Sequence, residues 1–188
     1  MLQEELIIWE QLRKGDQKAL ALLFEKTADK LYHFGIKFTD DEETVKDCIQ
    51  ELFIKLHTNY SNLPEVRNPL FYLFRSLKNK LLDTLQQKEK IVYFSTQELP
   101  FHVKLTYDNP EEEIEDDIKE KFTKVINLLS NRQKEAIYLR FQAEMSYDEI
   151  SIILGINYQS ARNLIHRSIE KIRAEMNIKS FILLLIHI

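Results

Sequence analysis

Apolar residues recur at spacings of three and four along most of this chain, which is the pattern of helices that bury one face. The clearest such stripe consists of Val45, Cys48, Ile49, Leu52, Phe53 and Leu56. Glycine and proline, the residues that interrupt helices most strongly, number only three and four among 188 residues. The sequence therefore predicts an all-α fold.

The helical segments fall into two groups, which predicts two small helical domains joined by a linker. Residues 1–92 carry four helical stripes, and Pro69 begins the last of them. Residues 93–110 lack a helical period and form the predicted linker. Residues 111–177 form the predicted second domain, and 178–188 are a strongly apolar tail whose role the sequence leaves open.

Three predicted helix starts carry a Ser or Thr followed three residues later by Glu or Gln. In this capping box each side chain accepts a hydrogen bond from a backbone N–H that the helix leaves free. The pairs are Thr39 with Glu42, Ser130 with Gln133, and Ser146 with Glu149. Gly155 follows the last of these helices, where a left-handed residue ends a helix at little cost for glycine.

The helix after Gly155 has one apolar side and one polar side, which predicts a helix-turn-helix. Its inward stripe consists of Ala161, Ile165, Ser168 and Ile172, and its polar side includes Gln159, Arg162, Asn163, His166 and Arg167. Arg pairs with guanine and Asn or Gln with adenine in the major groove, which the second helix of this motif enters. An ordinary helical hairpin with a solvated outer face is the alternative interpretation of the pattern.

The net charge of −4 is unusual for a protein that binds nucleic acid, but the charges are unevenly distributed. Residues 111–120 hold seven acidic side chains against one lysine, in a helix predicted to begin at Pro110. Residues 67–90 hold six basic side chains against two acidic ones. A local basic patch on an acidic protein predicts weak DNA affinity alone and binding that depends on a partner.

The helix from Pro69 to about Gln87 mixes aromatic rings with cations, notably Tyr72 and Arg75. The rings either belong to the core or stack on unpaired bases while the cations follow the phosphates, as proteins hold single strands. Cys48 is the single cysteine, so no internal disulfide forms, and we expect a buried thiol in a reducing, cytoplasmic setting. The N-terminus does not resemble a signal peptide, and the apolar tail is too short to span a bilayer.

Four motifs, in this order, are similar to those of extracytoplasmic-function (ECF, group IV) sigma factors of bacterial RNA polymerase, in the sigma-70 family. They are Asp47-x-x-Gln-Glu-x-Phe-x-Lys-Leu, Phe71-Tyr-Leu-Phe-Arg-x-x-x-Asn79-x-x-x-Asp83, Leu129-Ser-x-Arg-Gln-Lys-Glu135 and Ser146-Tyr-x-Glu-Ile. The resemblance spans residues 5–176. It implies that the first domain is sigma region 2 and the second is sigma region 4.

The resemblance also implies roles for particular residues. Core polymerase, through its largest-subunit clamp helices, would contact Asp47, Gln50, Glu51 and Phe53. The −10 promoter element, with a base flipped into the loop at 59–68, would contact Arg67, Asn68, Phe71, Tyr72, Arg75, Lys78 and Asn79. The −35 element would contact Tyr158, Gln159, Ser160, Arg162, Asn163, His166 and Arg167.

The implied partners are core RNA polymerase, including its flap, promoter DNA, and an anti-sigma factor, which in this family is often membrane-bound. We expect no cofactor, metal, catalytic residue or small-molecule substrate. A carboxylate-bridged metalloenzyme is disfavoured because none of the five histidines has an acidic residue three positions before it. A conventional helix-turn-helix regulator, with an N-terminal sensing or dimerisation domain, remains the alternative.

Overall fold

The computed structural model describes residues 2–89, 100–103 and 116–186, and within them all regular secondary structure is helical, as predicted. The helices are α1 (Leu2–Arg13), α2 (Gln17–Gly35), α3 (Glu42–Thr58), α4 (Pro69–Glu89), α5 (Asp116–Leu128), α6 (Asn131–Phe141), α7 (Tyr147–Leu154), α8 (Tyr158–Glu175) and α9 (Ile178–Ile186), with a 3₁₀ turn at Tyr60–Asn62. Helix α4 begins at Pro69 as predicted. The predicted helix start at Pro110 lies outside the described residues.

The chain divides into two compact units, an N-terminal unit of residues 1–97 and a C-terminal unit of residues 98–188. The predicted linker, 93–110, falls mostly outside the described residues, so its boundaries stay a prediction. None of the described helices is both long and apolar enough to cross a membrane.

The N-terminal unit is a bundle in which α2 packs against α1, α3 and α4, while α4 also packs against α1 and α3. Its centre is aromatic: the ring of Phe34 lies 4.5 Å from that of Phe74 and 5.0 Å from that of Phe38. Trp9 is fully buried, and its indole N–H donates to the Pro64 carbonyl at 3.0 Å. That bond ties the loop between α3 and α4 to the first helix.

The start of α3 corrects one prediction, since Thr39 and Glu42 do not form a capping box. Asp41 is the N-cap, and its Oδ1 accepts from the Thr44 backbone N–H at 3.1 Å. The Thr39 hydroxyl accepts instead from the Asp41 N–H at 3.2 Å. Aspartate is as good an N-cap as serine and here lies directly before the helix, so it outcompetes the upstream threonine.

The C-terminal unit is built around α8, against which α5, α6, α7 and α9 all pack. The capping boxes predicted at Ser130 with Gln133 and at Ser146 with Glu149 are both present. The apolar tail belongs to this unit over its first residues, because Phe181 is fully buried with its ring 5.2 Å from that of Phe122. Part of the tail therefore has a packing role in the C-terminal core.

Candidate nucleic-acid interface

Helices α7 and α8 form the predicted helix-turn-helix. Gly155 ends α7 with φ 63° and ψ 38°, the left-handed conformation that glycine adopts without strain. Asn157 then caps α8, its Oδ1 accepting from the Ser160 N–H at 2.7 Å. From α6, Arg132 donates to the Leu154 carbonyl at 3.3 Å, which satisfies one of the acceptors left free at the end of α7.

The inner face of α8 is buried as predicted, through Ala161, Ile165, Ser168 and Ile172. Packing of that stripe fixes the rotation of the helix about its axis, so the other face is turned to solvent. All seven residues predicted to contact the −35 element are exposed there, from Tyr158 in the first turn to Arg167 in the third. The structure therefore places this whole set on one accessible helix face.

Polar side chains on that face contact one another along the helix. The Gln159 amide nitrogen donates to the Asn163 side-chain oxygen at 3.2 Å, which aligns two amides along the helix. His166 Nδ1 lies 3.6 Å from the Glu170 carboxylate. Arg162 and Arg167 form no ion pair with any residue that the structure describes.

The predicted −10 residues lie at the start of α4 and along its exposed side. The Asn68 side chain caps the helix, accepting from the Phe71 N–H at 3.2 Å. Phe71, Arg75 and Lys78 follow at spacings of four and three, which places them along one stripe of the helix. Tyr72 and Asn79 lie on the adjacent side of α4, and Arg67 is exposed in the preceding loop.

A cleft of about 600 Å³ is lined by residues of α3, α4 and the loop with the 3₁₀ turn that joins them. Its wall carries two of the predicted −10 residues, Tyr72 and Asn79, together with two amides that the sequence analysis did not single out, Asn59 and Asn62. The Tyr72 ring packs against the ring of Trp9, with the two ring centres 5.0 Å apart. We call this the α3–α4 cleft.

An ion pair between Lys80 of α4 and Glu51 of α3 also borders the α3–α4 cleft. The hydrogen bond to the carboxylate raises the pKa of Lys80. Glu51 therefore faces α4, although the sequence groups it with the residues predicted to contact the polymerase. Asp47 and Gln50 of that set are exposed on α3.

A second cleft, of about 610 Å³, lies between α2 and α3 and has mainly apolar walls. Phe53, the fourth residue predicted to contact the polymerase, is only 6% exposed, and its ring meets the edge of Phe24 at 5.0 Å. Phe24 and Ile54 are large apolar side chains left 47% and 54% exposed, and both line this cleft with Gln50. We call it the α2–α3 cleft. Phe24 was not predicted to belong to this surface, because it lies on α2, outside the motif.

Cys48 lies on the inner side of α3, 1% exposed, with its Sγ 3.6 Å from the Thr84 hydroxyl. Burial raises the pKa of the thiol, so little thiolate is present near neutral pH. The prediction of a buried thiol is confirmed. Within the described parts of the chain, no three His, Cys, Asp or Glu side chains are grouped as they would be around a metal ion.

Two family models match these two units, in the same order as the predicted domains. A model described as Sigma-70 region 2 matches residues 23–91, and one described as Sigma-70, region 4 matches residues 119–172. Together the two models cover more than half of the chain. The chain belongs to the sigma-70 family.

Two curated relatives of this sigma-70 chain are named ECF sigma factors, which confirms the resemblance found in the motifs. It is 26% identical over 178 residues to ECF RNA polymerase sigma factor SigW of Bacillus subtilis (strain 168), covering 88% of this chain and 93% of SigW. It is 23% identical over 157 residues to ECF RNA polymerase sigma factor SigM of the same strain, covering 82% and 93%.

Two solved structures share this helical fold. CnrH, determined in complex with the cytosolic domain of CnrY, superposes with a TM-score of 0.58 at 19% identity, over 90% of this chain and 95% of CnrH. The sigma factor RpoE from Bartonella quintana, in complex with the anti-sigma factor NepR, gives 0.61 at 19% identity, over 86% and 98%. These similarities support the two-unit helical architecture.

Proposed function

We propose that this sigma-70 chain binds core RNA polymerase and directs it to specific promoters. The observation that carries the proposal is the exposed polar face of α8, presented by a helix-turn-helix in a chain that also contains region 2. A chain with both regions has one unit for each of two promoter elements. The relatives whose names identify them as RNA polymerase sigma factors support this function.

The upstream step is recognition of the −35 element by α8. Arg162 and Arg167 are forked donors suited to guanine, and the aligned amides of Gln159 and Asn163 suit adenine. Tyr158 and Ser160 lie in the first turn, where hydroxyl groups reach phosphate oxygens. Because the inner stripe fixes the helix rotation, the backbone of α8 already presents these groups on one face before DNA binds, although exposed side chains still lose rotamer freedom on binding.

The downstream step is capture of an unpaired base of the −10 element in the α3–α4 cleft. Extruding a base costs roughly a few kcal/mol, and stacking on an aromatic ring returns roughly 1–3 kcal/mol per base. Tyr72 offers that ring, braced by Trp9, and Asn79 offers an amide for the base edge. Arg75 and Lys78, on the neighbouring stripe of α4, would follow the phosphates of the same strand.

Docking on the polymerase uses the outer face of α3. Asp47 and Gln50 supply exposed polar contacts, and the α2–α3 cleft adjoins them with the apolar surface of Phe24 and Ile54. An exposed apolar cleft with a polar rim is the composition expected of a protein-binding surface. In this proposal Phe53 is a supporting residue, because its buried ring packs against Phe24 and restricts the position of that side chain.

Regulation by an anti-sigma factor is part of the proposal, as is a contact between region 4 and the polymerase flap. The structurally similar sigma factor RpoE was solved with the anti-sigma factor NepR, and CnrH was solved with the cytosolic domain of CnrY. A reducing cytoplasmic location fits a chain whose one cysteine is a buried free thiol. The protein has no chemistry of its own in this proposal and works as a subunit of the holoenzyme.

The experiment that tests this function is reconstitution with core RNA polymerase, followed by transcription from a library of promoter fragments. We expect a stable complex and initiation that requires both components and selects a subset of fragments. Core polymerase without the chain is the control for background initiation. Specific DNA binding by the chain alone, without a polymerase complex, would instead establish the conventional regulator with a sensing or dimerising N-terminal unit.

A further inference from the structure

We propose that Arg140 and Tyr147, which lie outside the recognition helix α8, position the phenol of Tyr158 for a hydrogen bond to a backbone phosphate of promoter DNA. The inference rests on the proposed function, because it requires α8 to bind duplex DNA. It adds two positioning residues from α6 and α7 to the binding machinery. Neither residue was identified by the sequence analysis.

A continuous set of side-chain contacts connects the three residues. The Arg140 guanidinium carbon lies 5.1 Å from the centre of the Tyr147 ring, within the range of a cation–π contact. The Tyr147 ring in turn meets the Tyr158 ring at 6.0 Å with an interplanar angle of 77°, an edge-to-face pair. The side chain of Tyr158 is thus supported on one side although 45% of the residue is exposed.

The supporting residues are themselves fixed by the backbone. Arg140 donates from Nη1 to the Met145 carbonyl at 2.8 Å, which anchors the guanidinium beside the start of α7. Ser146, the next residue, caps α7 through its capping box with Glu149 and so holds Tyr147 at the first helical position. Arg140 forms no ion pair with any residue in the described ranges, so its charge remains available to the ring and to an incoming anion.

The position of Tyr158 explains why such support matters. It is the first residue of α8, and the N-terminal residues of a recognition helix are the ones that approach DNA. An unsupported tyrosine there would lose its rotamer freedom on binding, which weakens the complex. Contact with Tyr147 restricts the ring before DNA arrives, so that the hydroxyl group is already directed toward the strand.

A double-mutant cycle on the holoenzyme tests the inference, with affinity measured on a promoter fragment that the wild-type holoenzyme selects. Tyr158→Phe removes the hydroxyl group and should weaken binding about three- to tenfold, the range expected for one hydrogen bond. Tyr147→Leu should cause a loss of similar size in the wild-type background. In the Tyr158→Phe background the same change should cause almost no further loss, because the bond that it positions is already absent.

Tyr147→Phe keeps the ring and should recover most of the affinity that Tyr147→Leu loses, which would assign the positioning role to the ring and not to its hydroxyl group. Thermal unfolding of each variant separates a loss of positioning from a loss of folding. Additive losses in the cycle, or wild-type affinity for Tyr158→Phe, would overturn the inference while leaving the sigma function intact. Failure of the wild-type holoenzyme to select any fragment would overturn the proposed function itself, and the inference with it.

Discussion

At the scale of single residues, Arg162 is the side chain whose loss should be most directly visible in promoter selection. It is exposed on α8 and has no ion-pair partner among the described residues, so its donors are available to a base edge. Arg162→Ala should weaken binding to the −35 element by about 1–3 kcal/mol and relax the preference at one base pair. Competition binding of the holoenzyme to fragments that vary at each upstream position measures both effects.

The charge-matched control is Lys121→Ala, which removes one cation from α5 instead of α8. Lys121 pairs with Asp117 on its own helix, 2.6 Å away, and we expect its loss to leave the base preference unchanged. Equal effects of the two substitutions, without any change in base preference, would show that Arg162 contributes only general charge.

Single residues were predictable from the sequence where helical spacing alone decides their position. All seven upstream candidates are exposed, because the spacing of Ala161, Ile165 and Ile172 determines which face of α8 is buried. Spacing does not show which side chain on another helix will be the neighbour. The Phe24 edge on Phe53 and the Arg140 contact with Tyr147 therefore became evident only from the folded structure.

At the scale of helices, α2 and α3 approach each other closely at Gly35. A methyl group added to Gly35 would collide with Cγ1 of Val45, so the two helices depend on the missing side chain. Gly35→Ala should destabilise the unit by about 1–3 kcal/mol through overpacking, as measured by urea unfolding. In a Val45→Ala background the substitution should cost clearly less, because the colliding methyl groups are gone.

If the losses of unfolding free energy for Gly35→Ala and Val45→Ala simply add in the double variant, the two helices already have room for a methyl group at Gly35. Gly15→Ala provides a contrast with a different cause. Gly15 has φ +89°, so a side chain there is strained by the backbone whatever its neighbours, and Val45→Ala should not relieve that cost.

Helix starts were predictable from the capping-box pattern in two of the three cases. Ser130 with Gln133 and Ser146 with Glu149 form the expected capping boxes. Before α3 the sequence offers Thr39, Asp40 and Asp41, and local pattern cannot choose between them. Asp41 caps the helix because it directly precedes Glu42, and we infer that the packing of Val45 and the rest of the stripe against α2 sets where the helix begins.

At the scale of the whole molecule, the two units each have a separate aromatic core. Trp9, Phe34 and Phe74 are buried in the N-terminal unit, while Phe122 and Phe181 are buried in the C-terminal one. Helical periodicity and the four ordered motifs predicted this division and its order along the chain. The participation of Phe181 was not predicted, because an apolar tail can be buried on its own domain or on a partner with the same sequence.

Separate cores should give two separable unfolding transitions in scanning calorimetry of the isolated protein. Gly35→Ala should lower the midpoint of one transition only. Gly155→Ala should lower the other, because φ +63° strains alanine by about 1–2 kcal/mol while its Cβ would meet nothing within 4 Å. Domains of this size shift by about 4–8 °C per kcal/mol, so each effect is measurable. One transition that both substitutions shift equally would contradict independent cores and would imply that the units unfold as one cooperative body.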